Sequence, residues 1–286
     1  MRLRHASRFV LVLSFPVLLP APARSDTSEE YRQQAMKALA QKDTEKALEL
    51  AGKAIAADPK DARGYLLRGV VHEAARRHAE AIADFTRCLE RDPKNARAFD
   101  HRGSEQFKLG RIKESLADFD KFLALEPKAA SGHWKRGISL YYAGRYDDGR
   151  KQFEGYEKVD TNDVENAVWH FLCNARRLGI DKARERMLKI GKDRRVPMMD
   201  VYDLYRGKLK PADVLAAAEA GDMPAELRKQ QLFYAHLYLG LYYDVLGDQR
   251  KALEHMTLAE GKYRIGHYMG DVAHVHAELL RMDAKK

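Results

Sequence analysis

Cysteine and proline are scarce in this sequence, and both scarcities restrict the fold. Only two of the 286 residues are cysteine, Cys88 and Cys173, which excludes a scaffold held together by several disulfides; we expect two separate buried thiols. Nine prolines and the lack of alternating β-branched runs leave a composition rich in alanine, leucine, lysine, arginine and glutamate. The sequence therefore predicts an all-α fold.

Motifs of catalysis are also missing. The sequence contains no Gly-rich phosphate loop, no HExxH, no CxxC and no GxSxG. His274 and His276 are two residues apart, so on a helix they point to different sides and cannot bind one metal together. We accordingly predict a protein that is not an enzyme, with no catalytic residue, no cofactor and no metal site.

Long hydrophobic runs are absent except near the start of the chain. Residues 1–25 open with the basic stretch MRLRHASR, continue with the apolar stretch FVLVLSFPVLLP and end with the small residues APARS. This order predicts a secretory signal peptide, cleaved near Ala23 or Ser25, and a periplasmic or secreted protein. An uncleaved N-terminal anchor is the main alternative. Because the apolar run is short and Pro16 interrupts it, we predict no transmembrane segment in the mature chain.

The excess of positive charge is smaller than it first appears. The whole chain carries a formal net charge of +9, but four arginines lie in residues 1–25. From Asp26 onward 47 basic residues face 42 acidic ones, a net charge of +5 with mixed signs. An excess this mild does not indicate a nucleic-acid partner.

A period of 34 residues dominates the first half of the chain. Pro59, Pro93 and Pro127 keep this step, each directly after an acidic residue. The Arg-Gly pairs at 68–69, 102–103 and 136–137 keep it as well. Such agreement divides residues 26–163 into four regular units, which we number 28–61, 62–95, 96–129 and 130–163.

The period and its residue types resemble the tetratricopeptide repeat (TPR), a helix–turn–helix unit with small residues where its two helices cross. The crossing positions carry Ala35, Gly69, Gly103 and Gly137 on the first helix, and Ala47, Ala81, Ser115 and Gly149 on the second. The resemblance implies a right-handed solenoid of antiparallel helix pairs with one concave face. Gly110 and Gly144 fall between helices, where we expect a left-handed backbone. We expect Arg68 and Arg102 to pair with Asp84 and Asp118 of the following helix.

Beyond residue 163 the strict period ends while the helical pattern continues. Residues 164–222 predict a divergent helical pair and linker helices, at 164–177, 180–190, 198–206 and 211–220. In residues 223–286 a TPR-like unit returns, and a capping helix follows near 270–283. The unit is marked by Gly240, Tyr243, Gly247, Ala252 and Ala259.

A closer resemblance covers the mature chain as a whole. Four regular repeats, a middle with Trp169, the stretches VYDLYRGKLKPADVL and FYAHLYLGLYYDVLGD, and a terminal helix with an EL pair are similar to the envelope TPR lipoproteins of Gram-negative bacteria. That family implies adaptors that form homodimers and bind a tail-specific periplasmic protease and peptidoglycan hydrolases. This chain departs from the family because no cysteine lies near the cleavage region to carry a lipid.

Positions on the concave face provide the candidate partner-binding residues. Aromatic anchors beside charged side chains are typical of a peptide-binding hot spot. The predicted set is Arg97, Asp100, Phe107, Lys108, Trp134, Tyr141 and Tyr142. Tyr141 and Tyr142 could instead pack within the stack or in a homodimer contact. TPR domains that clamp a terminal carboxylate resemble this chain less, because their groove positions carry Arg32, Met36, Val70, Arg97 and His101 here, without the asparagines.

The leading functional hypothesis is an exported adaptor that binds other proteins or peptides through the concave face. One alternative is a structural subunit of an outer-membrane or secretion assembly. A third hypothesis, an enzyme of unrecognised type or a receptor with a small-molecule pocket between residues 164 and 222, has no motif in its support.

Overall fold

The computed structural model describes residues 27–285; the predicted signal peptide, residues 1–25, lies outside them. Within the described residues the chain forms α-helices, one short 3-10 helix at Pro127–Ala129 and no strand, which confirms the all-α prediction. The helices are α1 (Ser28–Ala40), α2 (Thr44–Ala57), α3 (Ala62–Ala74), α4 (His78–Arg91), α5 (Ala96–Lys108), α6 (Ile112–Leu125), α7 (Trp134–Tyr142), α8 (Tyr146–Tyr156), α9 (Val164–Leu178), α10 (Ile180–Glu185), α11 (Met198–Tyr205), α12 (Pro211–Glu219), α13 (Ala225–Val245), α14 (Gln249–Glu260) and α15 (Tyr268–Asp283).

The helix pairs cross where the sequence places its glycines. A Cβ atom added to Gly69 would lie 2.5 Å from the ring of Phe85, and one added to Gly137 would lie 2.6 Å from the ring of Phe153. Gly103 meets the ring of Phe119 in the same way, at 2.9 Å. Each ring of the second helix therefore packs against bare backbone of the first, and the three crossings are equivalent, as predicted.

The same contact recurs near the C-terminus. A Cβ atom at Gly240 on α13 would lie 2.8 Å from the side chain of Met256 on α14. Ala252 and Ala259 are fully buried in this pair. α13 and α14 therefore pack as a helix pair with a small residue at their crossing, and the TPR-like unit expected after residue 223 stays a prediction.

Ion pairs join the two helices of the second and third units. Arg68 donates two hydrogen bonds to Asp84, both of 2.7 Å, and Arg102 does the same to Asp118 at 2.7 and 2.8 Å. In the fourth unit, Gln152 occupies the position of Asp84 and Asp118 in the earlier units. Arg136 therefore bonds Gln152 at 3.1 Å and also bonds Asp120 of the preceding unit at 2.7 Å. The structural interpretation of these arginines is confirmed for Arg68 and Arg102.

One predicted helix is shorter than expected. The helix proposed for 180–190 ends at Glu185. The chain that follows runs back to the loop after α8, where the Gly191 amide donates to the Thr161 carbonyl and the Lys192 amide donates to Asn162 Oδ1. Because the loop after α8 supplies these acceptors, the segment satisfies its backbone groups without a helix.

The last helix makes a contact that the sequence did not predict. α15 follows α14 in the stack, and it also packs against α5 in the third unit. Asp271 on α15 forms ion pairs with Arg264 and with Arg76, which lies in the turn between α3 and α4. α15 thus packs against α14 and also returns to α5, so that many of its residues are buried.

Substitution of the crossing glycines tests this packing. We expect Gly69→Ala to destabilise the fold by about 1–3 kcal/mol, because the new methyl group displaces the Phe85 ring. Gly52 on α2 is the matched control, since nothing lies within 4 Å of its Cβ position; Gly52→Ala should stabilise by about 0.5–1 kcal/mol through helix propensity. Thermal unfolding followed by circular dichroism measures both. Equal stability of Gly69→Ala and wild type would contradict the crossing.

The turns between paired helices provide a second test. The same turn position is Lys42, Arg76, Gly110 and Gly144 in successive units, and all four have positive φ, at 63°, 58°, 70° and 72°. A left-handed backbone costs a non-glycine residue about 1–2 kcal/mol. Lys42 is exposed, so Lys42→Gly should raise stability by about 0.5–1 kcal/mol after the extra chain entropy of glycine is subtracted. Gly110→Lys should lower stability by a similar amount in the same unfolding assay, and shifts of the opposite sign would refute the strain.

Candidate protein-binding site

The charged residues of the predicted site are held by neighbours within the chain. Asp100 accepts hydrogen bonds from Lys135 at 2.8 Å and His133 at 3.0 Å. Burial alone would raise the pKa of Asp100, but these two partners hold it well below its usual value. Lys108 bonds Glu105, which is fully buried, and lies 3.4 Å from Glu73. Both side chains therefore already have full charge compensation.

The aromatic residues of the predicted site are covered by the C-terminal helix. Phe107 is fully buried, with its ring 5.3 Å from that of Tyr268 on α15, and Trp134 meets the edge of the same Tyr268 at 5.2 Å. Tyr142 bonds His276 of α15, with 3.0 Å between the hydroxyl oxygen and Nδ1.

Tyr141 is 4% exposed, and its hydroxyl accepts a hydrogen bond of 3.2 Å from Arg176. Burial raises the pKa of both Tyr141 and Tyr142, so their phenols stay protonated. Phe107 and Tyr141 are buried and Tyr142 bonds α15, so the expectation that these three residues line an open groove is wrong. Both tyrosines pack within the stack, whereas Trp134 is half-buried.

Arg97 is the member of the predicted set that remains accessible. Its side chain is exposed and forms no ion pair with any residue in the range 27–285. It lies at the end of a groove of about 540 Å³ on the concave side of α1, α3 and α5. We call this the N-terminal groove; its other lining residues are Arg32, Met36, Leu39, Ala40, Arg63, Leu66, Leu67 and Val70.

The N-terminal groove combines an apolar surface with positive charge. Met36 is 51% exposed, so its apolar side chain contributes accessible surface to the groove. Arg63 bonds Asp61 at 2.9 Å, and Arg32 bonds Glu29 and lies 3.6 Å from Asp61. The carboxylates of Glu29 and Asp61 thus compensate the charges of Arg32 and Arg63, whereas the charge of Arg97 is not compensated.

The sequence itself contains a signal for the N-terminal groove. Four of the five clamp positions considered above, Arg32, Met36, Val70 and Arg97, line it. The fifth, His101, is occupied by an ion pair of 2.7 Å with Glu73. The aromatic residues of the third and fourth units attracted the prediction instead, because the sequence does not show that α15 covers them.

Metal sites and membrane-spanning helices are not found among the described residues. No group of three or more histidine, cysteine, aspartate or glutamate side chains within 27–285 is arranged to hold a metal ion. Among the helices α1–α15, none has the length and apolar character needed to cross a membrane. Cys88 and Cys173 are both free and buried, and burial raises the pKa of both thiols.

Comparison with known proteins agrees with the repeat geometry. The family model described as "Tetratricopeptide repeat" matches residues 32–96 and 102–163. A TPR protein from Parabacteroides merdae is similar in structure, with 17% identity and a TM-score of 0.58 over 89% of this chain and 98% of that one. MamA from Desulfovibrio magneticus gives 18% identity and a TM-score of 0.52 over 57% of this chain and 92% of that one. No curated protein matches the chain in sequence.

The solved structures are below the identity at which function could be transferred, so they support the fold alone. The family match covers the four regular units, in which the crossing glycines and the ion pairs were found. Residues 32–96 and 102–163 therefore match tetratricopeptide repeats, and the described residues have an all-helical, TPR-like fold.

Proposed function

We propose that this protein is an adaptor that binds an apolar segment bearing acidic groups, supplied by another protein, in the N-terminal groove. The observation that carries the proposal is the open groove itself, with exposed Met36 on its surface and Arg97 unpaired at its end. TPR solenoids generally use their concave surfaces to hold other proteins. An apolar anchor next to an uncompensated arginine favours a peptide in which an apolar side chain lies near a carboxylate.

The position of the C-terminal helix favours the N-terminal groove as the binding site. α15 fills the concave face of the third and fourth units, so these units already hold a helix of their own chain. The first and second units carry no such cover from the described residues, and they offer the larger apolar surface.

The proposal includes export and partners in the cell envelope. The basic, apolar and small stretches of residues 1–25 favour a signal peptide, and the resemblance to envelope adaptors favours a periplasmic protease or peptidoglycan hydrolases as partners. A homodimer is part of the same resemblance.

Peptide binding tests the groove. A displayed library of short peptides, selected on the purified protein, should enrich sequences with a large apolar residue close to Asp, Glu or the terminal carboxylate. The charge reversal Arg97→Glu should weaken the selected peptides at least about tenfold, measured by fluorescence anisotropy, because it replaces an attractive charge by a repulsive one. Arg87→Glu on α4 is the matched control, since Arg87 is exposed and lies outside the groove.

Three outcomes of that experiment distinguish the proposed groove from its alternatives. Loss of binding in Arg97→Glu but not in Arg87→Glu supports the groove. Equal binding by both variants contradicts it. Purification of the native protein only in a complex of fixed stoichiometry would favour the structural-subunit alternative instead.

Cell fractionation tests the location. We expect the protein in the periplasmic or secreted fraction, shortened at its N-terminus near Ala23 or Ser25, and mass spectrometry of the purified chain measures the new end. A full-length protein in the cytosol would contradict export while leaving the fold and the groove intact.

A further inference from the structure

A second cavity lies away from the N-terminal groove, where four helices meet. It has a volume of about 190 Å³, is partly open to solvent, and is lined by residues of α7, α8, the first half of α9 and the start of α15. Its aromatic lining consists of Trp134, Phe153, Tyr156 and Trp169. Segments from four separate stretches of the chain therefore converge on one aromatic chamber.

Two buried polar atoms of this lining have no hydrogen-bond partner among the described residues. Trp169 is 2% exposed and its Nε1 donor is unpaired; Asn166 is 5% exposed and its Oδ1 acceptor is unpaired. The amide nitrogen of Asn166 donates to the Phe153 carbonyl at 3.0 Å, which fixes the side chain in place. Leaving a buried polar group unpaired is costly, so two in one small cavity indicate groups that a ligand satisfies.

The wall of the cavity also carries excess negative charge. Asp163 and Glu165 line it, with side chains 20% and 15% exposed. Arg195 is their cationic partner, and it is shared with Asp193. One guanidinium among three carboxylates leaves a net charge of −2. Burial, and after it the charge of Glu165, raises the pKa of Asp163 to about 6 despite Arg195.

From this arrangement we propose that the cavity binds an organic cation, an alkylammonium or guanidinium group. Aromatic faces and carboxylates both attract such a cation, and its N–H groups would donate to Asn166 Oδ1. Trp169 Nε1 is itself a donor, so the cation does not pair it; only a ligand that also carries an acceptor, such as a carbonyl oxygen, would do so. This site is independent of the N-terminal groove and of the peptide binding proposed for it.

The volume limits the ligand to about the size of one amino-acid side chain. A cavity of about 150 Å³ holds benzene, so 190 Å³ accommodates a small amine or the end of a lysine or arginine side chain. The cation could thus come from a free small molecule or from a side chain of a bound protein. Both sources share the chemistry that the cavity recognises.

The two tryptophans of this protein make the test direct. Trp134 and Trp169 are its only tryptophans, and both line the cavity, so intrinsic tryptophan fluorescence reports on this site alone. Titration of the purified protein with n-butylamine and with agmatine should change that fluorescence with a Kd on the order of 1 mM or tighter. 1-Butanol, which has the same number of heavy atoms as n-butylamine but no charge, should bind at least about tenfold more weakly. Isothermal titration calorimetry provides a readout that does not depend on the tryptophans.

Matched substitutions assign the binding to the carboxylates. Asp163→Asn removes the charge while keeping an acceptor for the Glu165 amide at the start of α9, and it should weaken n-butylamine at least about fivefold. Glu165→Gln is the second variant, and it keeps an acceptor for the Tyr238 hydroxyl. Asp181→Asn is the control, because Asp181 has a side chain 95% exposed and lies outside the cavity. Unfolding curves establish that each variant is folded.

The outcomes separate the proposal from its competitors. Weaker binding by both charge-neutralising variants, with Asp181→Asn unchanged, supports it. The tripeptides Gly-Lys-Gly and Gly-Arg-Gly then identify the source: binding as tight as that of the free amines indicates a side chain of a partner, and binding by the free amines alone indicates a small molecule. No response to either amine, equal affinity for 1-butanol, or unchanged binding by folded Asp163→Asn and Glu165→Gln would overturn the proposal.

Discussion

The contact of an aromatic ring with bare backbone is the constraint on which the rest of this structure depends. At Gly69, Gly103 and Gly137 a ring of the second helix occupies the space where any other residue would carry a side chain. The crossing distance of the second, third and fourth pairs is set by this contact, and repetition at a step of 34 residues gives each of these pairs the same relation to the next. The concave face, and everything bound within it, follows from that regular stacking.

The concave face is divided into two parts by the C-terminal helix. In the third and fourth units α15 supplies Tyr268 and His276 to the aromatic residues, and Asp271 reaches Arg76 in the second unit. Arg76 holds a left-handed backbone that later units assign to glycine, so an arginine is retained at a strained position where its side chain forms an ion pair with α15. The first units remain open, and their surface is the one available to a partner.

How well a feature could be predicted from the sequence depends on how far apart along the chain the residues that form it lie. The ion pairs Arg68–Asp84 and Arg102–Asp118 join residues 16 apart within one unit, so the register alone specified them. Arg97 lines a groove together with residues of α1 and α3. The burial of Phe107 and Tyr142 depends on α15, which lies far along the chain: Tyr142 and His276 are 134 residues apart. No local pattern in either segment signals that they meet.

Residues 164–222, which lie beyond the regular repeats, show the same difference between local features and features that depend on distant residues. Helices α9, α11 and α12 were visible in the sequence because their helical pattern is local, and Pro211 marks the start of α12. The end of α10 at Glu185 was not visible, since it depends on hydrogen bonds to a loop 30 residues earlier. The amine cavity is likewise formed only when α7, α8, α9 and α15 are in place.

By itself, then, the sequence determined the helical class, the length of the repeat, the tight crossings and the ion pairs within each unit, because all of these are relations between residues one or two helices apart. The tertiary structure decided which half of the concave face stays open, and it created the cavity around Trp134 and Trp169. The reason is physical: the path of α15 across the stack is set by the accumulated curvature of all the preceding pairs, and curvature is a property of the assembled helices rather than of any one segment.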